Sequence, residues 1–259
     1  MIAALGLGLA IGVLLGLLGG GGSILAVPAL VYGAALPLAA AVPTSLLVVG
    51  VSSGAALLPR LRHGQVAWRI AGVFAVAGAG AAFGGAAVNR LLEPRIVLIG
   101  FAVLMIAAGA AMLRQDTEIG GDCALPGGRV NWRGCLPKAV GSGLAVGFLT
   151  GLFGVGGGFL IIPALVVLLG LPMTVAIGTS LVIIVVNSAA GFLAHAGDAD
   201  LDYQVAGAFT VAAVVGSLAA AKVARRLPAD RLRHWFAYLV FVVAAFVAAQ
   251  ALLNPSAAG

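Results

Sequence analysis

The first charged side chain in this sequence is Arg60, and the 59 residues before it contain no Asp, Glu, Lys or Arg. Beyond it the charges gather at positions 60–69, 90–95, 114–138, 198–202 and 222–233, with apolar runs between them. Only 8% of the 259 residues are charged and 62% are hydrophobic, against about 25% charged in a soluble domain. So few charges cannot cover a water-facing surface, and so much apolar surface cannot stay disordered. A soluble enzyme is excluded, and an all-α polytopic membrane protein in the lipid bilayer is expected. At roughly 20 residues per span, the length admits about eight to ten helical segments.

The net charge of +6 would suggest nucleic acid on a soluble surface. Here the basic residues flank apolar runs and read as topology signals, so no nucleic-acid partner is expected. The stretch Met1-Ile2-Ala3-Ala4 lacks the basic region of a cleaved leader. Leu5–Leu18 therefore reads as part of the membrane domain.

The chain repeats itself. At an offset of 135, Gly8–Leu46 falls on Gly143–Leu181 without a gap, and 21 of the 39 positions are identical. Composition bias alone would give about a quarter of that or less. Pro28-Ala29-Leu30 falls on Pro163-Ala164-Leu165, Leu36-Pro37 on Leu171-Pro172, and Thr44-Ser45-Leu46 on Thr179-Ser180-Leu181. The same offset aligns Ala71-Gly72 with Ala206-Gly207. One module is used twice: residues 1–114 are the first transmembrane repeat, 115–137 a polar cytoplasmic linker, and 138–259 the second repeat.

Each repeat divides into about five segments. In the first they are Ile2–Leu18, a short Ile24–Ala34, Leu38–Leu58, Val66–Val88 and Arg95–Leu113. In the second they are Ala139–Phe153, a short Phe159–Leu169, Met173–Leu193, Tyr203–Ala221 and Arg231–Leu253. Glycine runs break the first segment from the short one, with Ser23 expected to N-cap the short helix of the first repeat.

The charges relate the repeats. Arg60, Arg62 and Arg69 surround the loop after the third segment of repeat one, where repeat two has Asp198, Asp200 and Asp202. One loop later, repeat two carries Lys222, Arg225, Arg226, Arg231 and Arg233, where repeat one has only Arg90, Arg95 and Glu93. The basic side switches between repeats, so the positive-inside rule gives them opposite orientations. Opposite orientation requires an odd number of crossings per repeat. Either the first and short segments both cross, or they form a re-entrant hairpin whose glycine tip meets its counterpart near the midplane. Eleven residues span only about 16 Å, which favours the hairpin. Both chain ends then face outside, and Cys123 and Cys135 lie inside and reduced.

Candidate chemistry sits at the breaks. Irregular backbone at membrane depth survives where it is buried or lines a wet cavity. Gly19, Gly20, Gly21 and Gly22, followed by Ser23, form one such break; Gly154, Gly156, Gly157 and Gly158 form the other. Helix starts after these breaks offer N–H groups to an anion that glycine lets approach closely. Thr44, Ser45, Thr179 and Ser180 can add hydroxyl donors, and Asn187 lies two turns beyond. Serine and threonine in membrane helices also satisfy local carbonyls, which is the competing role. Gly8, Gly12 and Gly16, with Gly143, Gly147 and Gly151, recur every fourth residue and read as a packing face.

No charge lies in the central stretch of any segment, which disfavours a cation or metal substrate. Gly50-Val51-Ser52-Ser53-Gly54 matches a nucleophile elbow by letters, but a helix interior is not the strand–turn–helix that chemistry needs. No nucleotide-binding P-loop is present. Neither an enzymatic activity nor a cofactor is expected.

The paired Gly-break, Pro-x-Leu, Leu-Pro and Thr-Ser elements, at Gly16–Leu30, Leu36-Pro37 and Thr44-Ser45 and again at Gly151–Leu165, Leu171-Pro172 and Thr179-Ser180, resemble the TauE/SafE family of sulfite-exporter-like permeases. The resemblance runs over Leu5–Leu253 and implies a secondary transporter, and by preference an exporter, of small sulfur-containing anions such as sulfite or organosulfonates, in the inner (plasma) membrane. Alternatives are a carrier of another small organic anion such as a carboxylate, a passive anion channel, and a membrane assembly factor. The sequence leaves open whether a proton or sodium ion is coupled, and whether copies form a homo-oligomer.

Overall fold

The computed structural model describes residues 2–30, 36, 38–89, 91–114, 124–125, 129–130, 132–153, 158–195, 203–224 and 226–253. Helix α1 covers Ile2–Leu18 and passes through a 3-10 turn, Gly19–Gly22, into the short α2, Ser23–Pro28. Helices α3 (Leu38–Leu61), α4 (Trp68–Asn89) and α5 (Pro94–Arg114) complete the first half. A two-residue hairpin follows, β1 (Ala124–Leu125) paired antiparallel with β2 (Arg129–Val130). The second half holds α6 (Trp132–Phe153), α7 (Gly158–Pro163) running into a π turn at Ala164–Leu168, α8 (Met173–His195), α9 (Tyr203–Ala224) and α10 (Ala229–Leu253). Among the described residues, seven helices are long and apolar enough to cross a membrane: α3, α4, α5, α6, α8, α9 and α10. The protein is therefore an all-α polytopic membrane protein apart from that small hairpin.

The chain forms two units, and each draws on both halves of the sequence. The first contains Met1–Gly72 and Thr174–Pro228; the second contains Val73–Met173 and Ala229–Gly259. In the first unit α1 lies along α9, with Gly8 at Phe209, Gly12 at Ala213 and Gly16 at Ser217. The partners advance together along the chain, so the two helices run parallel. A Cβ on Gly12 or Gly16 would collide with the carbonyl of Ala213 or Ser217, so these backbones touch as the every-fourth-residue spacing predicts.

In the second unit α6 lies along α4 in the same way, with Gly143 at Phe74, Gly147 at Gly78 and Gly151 at Ala82. Every one of these six positions is the counterpart, at the 135-residue offset, of a residue in the α1–α9 contact. One small-residue interface has been built twice, each time from one helix of each half.

Helices α3 and α8 are also counterparts, and more of each is buried than of any other span. Leu46 meets Gly191, Gly50 meets Ser188, and Gly54 approaches Val185. The partner numbers fall as α3 advances, so α3 and α8 run antiparallel inside the first unit. In the second unit the remaining counterpart pair, α5 and α10, packs together, with Gly109 against the Phe241 ring. The aromatic rings of Phe101, Phe153 and Phe159 stack there at centroid distances of 5.3 and 5.4 Å, tying α5 to α6 and α7.

Side chains such as Val76, Phe83 and Val242 stand exposed on the outer faces, where lipid rather than water is their solvent. Trp68 and Trp235, at the starts of α4 and α10, are exposed too; such amphipathic rings favour the headgroup level.

Two expectations need correction. Helix α6 begins at Trp132, seven residues before the predicted Ala139, and takes Pro137 into its N-terminal part. Cys135, in that added stretch, is fully buried and disulfide-bonded, not reduced. Cys123, the sequence's only other cysteine, lies outside the described residues.

Candidate functional site

Four consecutive glycines deny the chain any side-chain packing, so the end of α1 can turn sharply. Gly19 takes a φ of +69°, a left-handed conformation that suits glycine and few other residues. The run does not unwind as expected: Gly19–Gly22 closes a 3-10 turn, and the Ser23 N–H bonds the Gly20 carbonyl. Ser23 does not N-cap α2. Its hydroxyl donates to the Gly20 carbonyl at 2.7 Å, which satisfies the turn from the other side.

The short helices end by one device in both halves. Leu36 N–H donates to the Leu30 carbonyl at 3.2 Å, and its counterpart Leu171 N–H donates to Leu165 at 3.0 Å. The second of these closes over Gly170, whose φ is +66°. Pro163 has no N–H to give, and the helix widens to a π turn just beyond it, as freed backbone groups require. Gly158 opens α7, whose six residues are all buried. Gly154, Gly156 and Gly157 lie outside the described residues.

The hydroxyls divide into two sets. Ser45 donates to Val42 at 2.7 Å and Ser180 to Ile177 at 2.9 Å, the local back-bonding that competes with ligand contact. Thr179 Oγ1 accepts the backbone N–H of Ala67 at 3.0 Å. It thereby ties α8 to the entry of α4, beside Gly178, where the Gln65 carbonyl leaves no room for a Cβ. Thr44 Oγ1 and Ser53 Oγ, in contrast, are buried without a hydrogen-bond partner. Asn187 is half-buried on α8.

Helix α3 packs against both the 3-10 turn and α2, so the helix carrying Thr44 and Ser45 borders Gly19–Gly22. The second half is divided differently: Gly158 belongs to the second unit, while Thr179, Ser180 and Asn187 belong to the first.

One residue escaped the sequence reading. Arg60 closes α3 and looked like a topology signal, yet it is only 2% exposed. Among its contacts, Nη2 donates to the Gly16 carbonyl at 3.3 Å. Gly16 lies three residues before Gly19, about 4.5 Å along a helix axis. A fixed positive charge thus sits beside the first glycine break. A charge buried in protein is costly unless its donors are hydrogen-bonded. Among the described residues, no group of three His, Cys, Asp or Glu could hold a metal ion.

The family described as "Sulfite exporter TauE/SafE" matches residues 4–247. A "Probable membrane transporter protein" of Xylella fastidiosa (strain Temecula1 / ATCC 700964) is 35% identical over 95% of this chain and 94% of its own length. A protein of the same name from strain 9a5c is 34% identical over the same shares. "Probable membrane transporter protein YunE" of Bacillus subtilis (strain 168) is 27% identical over 85% of this chain and 87% of its own. No solved structure gives a significant match.

Proposed function

Because the chain belongs to the sulfite exporter TauE/SafE family of membrane transporters, we propose that it is a secondary transporter of small sulfur-containing anions such as sulfite or organosulfonates. It works as an exporter in the inner (plasma) membrane, as two inverted-topology repeats with re-entrant short helices that alternate access to the substrate. The observation that carries this reading is the antiparallel packing of α3 and α8. Two copies of one segment that run in opposite directions within one unit are what oppositely inserted repeats would produce. The switch of the basic loops between halves supports the same orientation.

The substrate-facing residues in this reading are Gly19–Gly22, Ser23, Thr44 and Ser45, with the counterparts Gly154, Gly156, Gly157, Gly158, Thr179 and Ser180, and Asn187. Backbone N–H groups and hydroxyls attract an anion without the buried carboxylates that a cation would need. The hydroxyl protons of Ser23, Ser45 and Ser180 are already committed to carbonyls, so they take part by rotating. The Thr44 hydroxyl has no such bond to give up.

A ligand panel on the purified protein tests the proposal. A ligand that binds only the folded state raises the melting temperature by mass action. Sulfite, sulfoacetate and thiosulfate should raise it at equal ionic strength, while chloride should not. A shift confined to acetate or other carboxylates would move the substrate to another organic anion. A shift with cations alone would overturn an anion carrier.

A further inference from the structure

We propose, on the basis of the anion-transport reading above, that Arg60 and Ser53 form the charged oxyanion-binding site of the first unit. Arg60 is buried, and among its contacts its guanidinium reaches the Gly16 carbonyl at 3.3 Å. Seven residues earlier on α3 lies Ser53, which is fully buried with its Oγ unbonded. Seven residues are close to two helical turns, so both side chains leave α3 on one face. Val49 and Ala56 complete that face and are buried too, so the stripe points into protein rather than lipid.

Long helical side chains lean toward the helix N-terminus. Ser53 lies on that N-terminal side of Arg60, about 10.5 Å away along the helix at 1.5 Å per residue. A guanidinium presents a planar fork of donors that fits two oxygens of a sulfonate, sulfite or carboxylate and does not fit a halide. The hydroxyl beneath it supplies a further donor in a place where water is scarce. Ser188 is the counterpart of Ser53 at the 135-residue offset, but the counterpart of Arg60 is His195. The fixed charge is therefore present in one repeat only, and the two repeats are chemically unequal at this level.

The test uses the full-length protein in detergent and measures affinity for sulfite, sulfoacetate, acetate and chloride by calorimetry, beside the melting temperature without ligand. Arg60→Gln should weaken oxyanion binding by about tenfold or more, and Ser53→Ala by about threefold to tenfold, as charged and neutral hydrogen bonds differ in strength. Arg60→Lys should weaken it about threefold or more, since it keeps the charge without the fork. Ser53→Ala should leave the unliganded melting temperature unchanged or higher, because it removes an unbonded hydroxyl. A merely structural serine would leave affinity untouched.

If Arg60→Gln does not fold, the other two variants decide. Wild-type affinity in folded Ser53→Ala together with a folded Arg60 variant overturns the site and leaves the transporter reading standing. Arg60-dependent binding of acetate but not of sulfur anions upholds the site and overturns the sulfur substrate. A wild-type protein that binds no oxyanion overturns both.

Discussion

Gly12 of α1 meets the backbone of Ala213 of α9 so closely that a Cβ on Gly12 would strike the Ala213 carbonyl. Its counterpart Gly147 meets Gly78 in the same manner. Gly12→Leu and Gly147→Leu should therefore be equivalent lesions despite lying 135 positions apart. Overpacking costs about 1–3 kcal/mol and more when backbones must separate. Each should lower the melting temperature strongly. Gly6→Leu, where nothing lies within 4 Å of a Cβ, should be nearly neutral. Thermal unfolding of the three variants in one detergent checks this.

Thr179 carries a structural task that its repeat counterpart Thr44 does not. It accepts the Ala67 N–H, one of the donors that the start of α4 would otherwise leave unpaired. Thr179→Val should cost about 1 kcal/mol, and Thr179→Ser should restore most of it. Thr44 Oγ1 has no partner, so Thr44→Val should be neutral or slightly stabilising. Melting temperatures of the three variants separate the two threonines.

Cys135 is buried at the start of α6 and disulfide-bonded. A disulfide is worth about 2–4 kcal/mol. Cys135→Ser should lower the melting temperature. Reductant should lower that of the wild type to match and leave the variant unmoved.

The direction of the loops can be read by labelling. In a protein with both cysteines replaced by serine, Gly64→Cys lies in the exposed α3–α4 turn and Leu91→Cys in the exposed α4–α5 turn. The basic flank of the first should place it inside and the second outside. In intact cells an impermeant maleimide should label Leu91→Cys and spare Gly64→Cys. The reverse pattern would invert the whole topology.

Much of the architecture was legible because two signals are strong in a membrane chain. Apolar runs bounded by charges placed α3, α4, α5, α8, α9 and α10 within about three residues of their ends. The self-alignment paired Gly12 with Gly147, and both pack as predicted. The failures have local causes. Ser23 precedes a helix as an N-cap should, but the 3-10 turn offers its hydroxyl the Gly20 carbonyl first. The short helix of the second repeat widens to a π turn just beyond Pro163, which has no N–H to give. Arg60 was hidden because a basic residue at a span end is the ordinary mark of an inside loop. Only the packing of α1 onto α3 shows that this one points inward. The breaks at Gly154, Gly156 and Gly157 lie outside the described residues.

Flux of isotopically labelled sulfite and sulfoacetate into proteoliposomes holding the purified protein tests the central claim most directly. Saturable uptake of at least one of them is expected, competed by the other and not by chloride. Its absence with both anions, or a flux that rises linearly without saturation, would contradict a carrier of small sulfur anions.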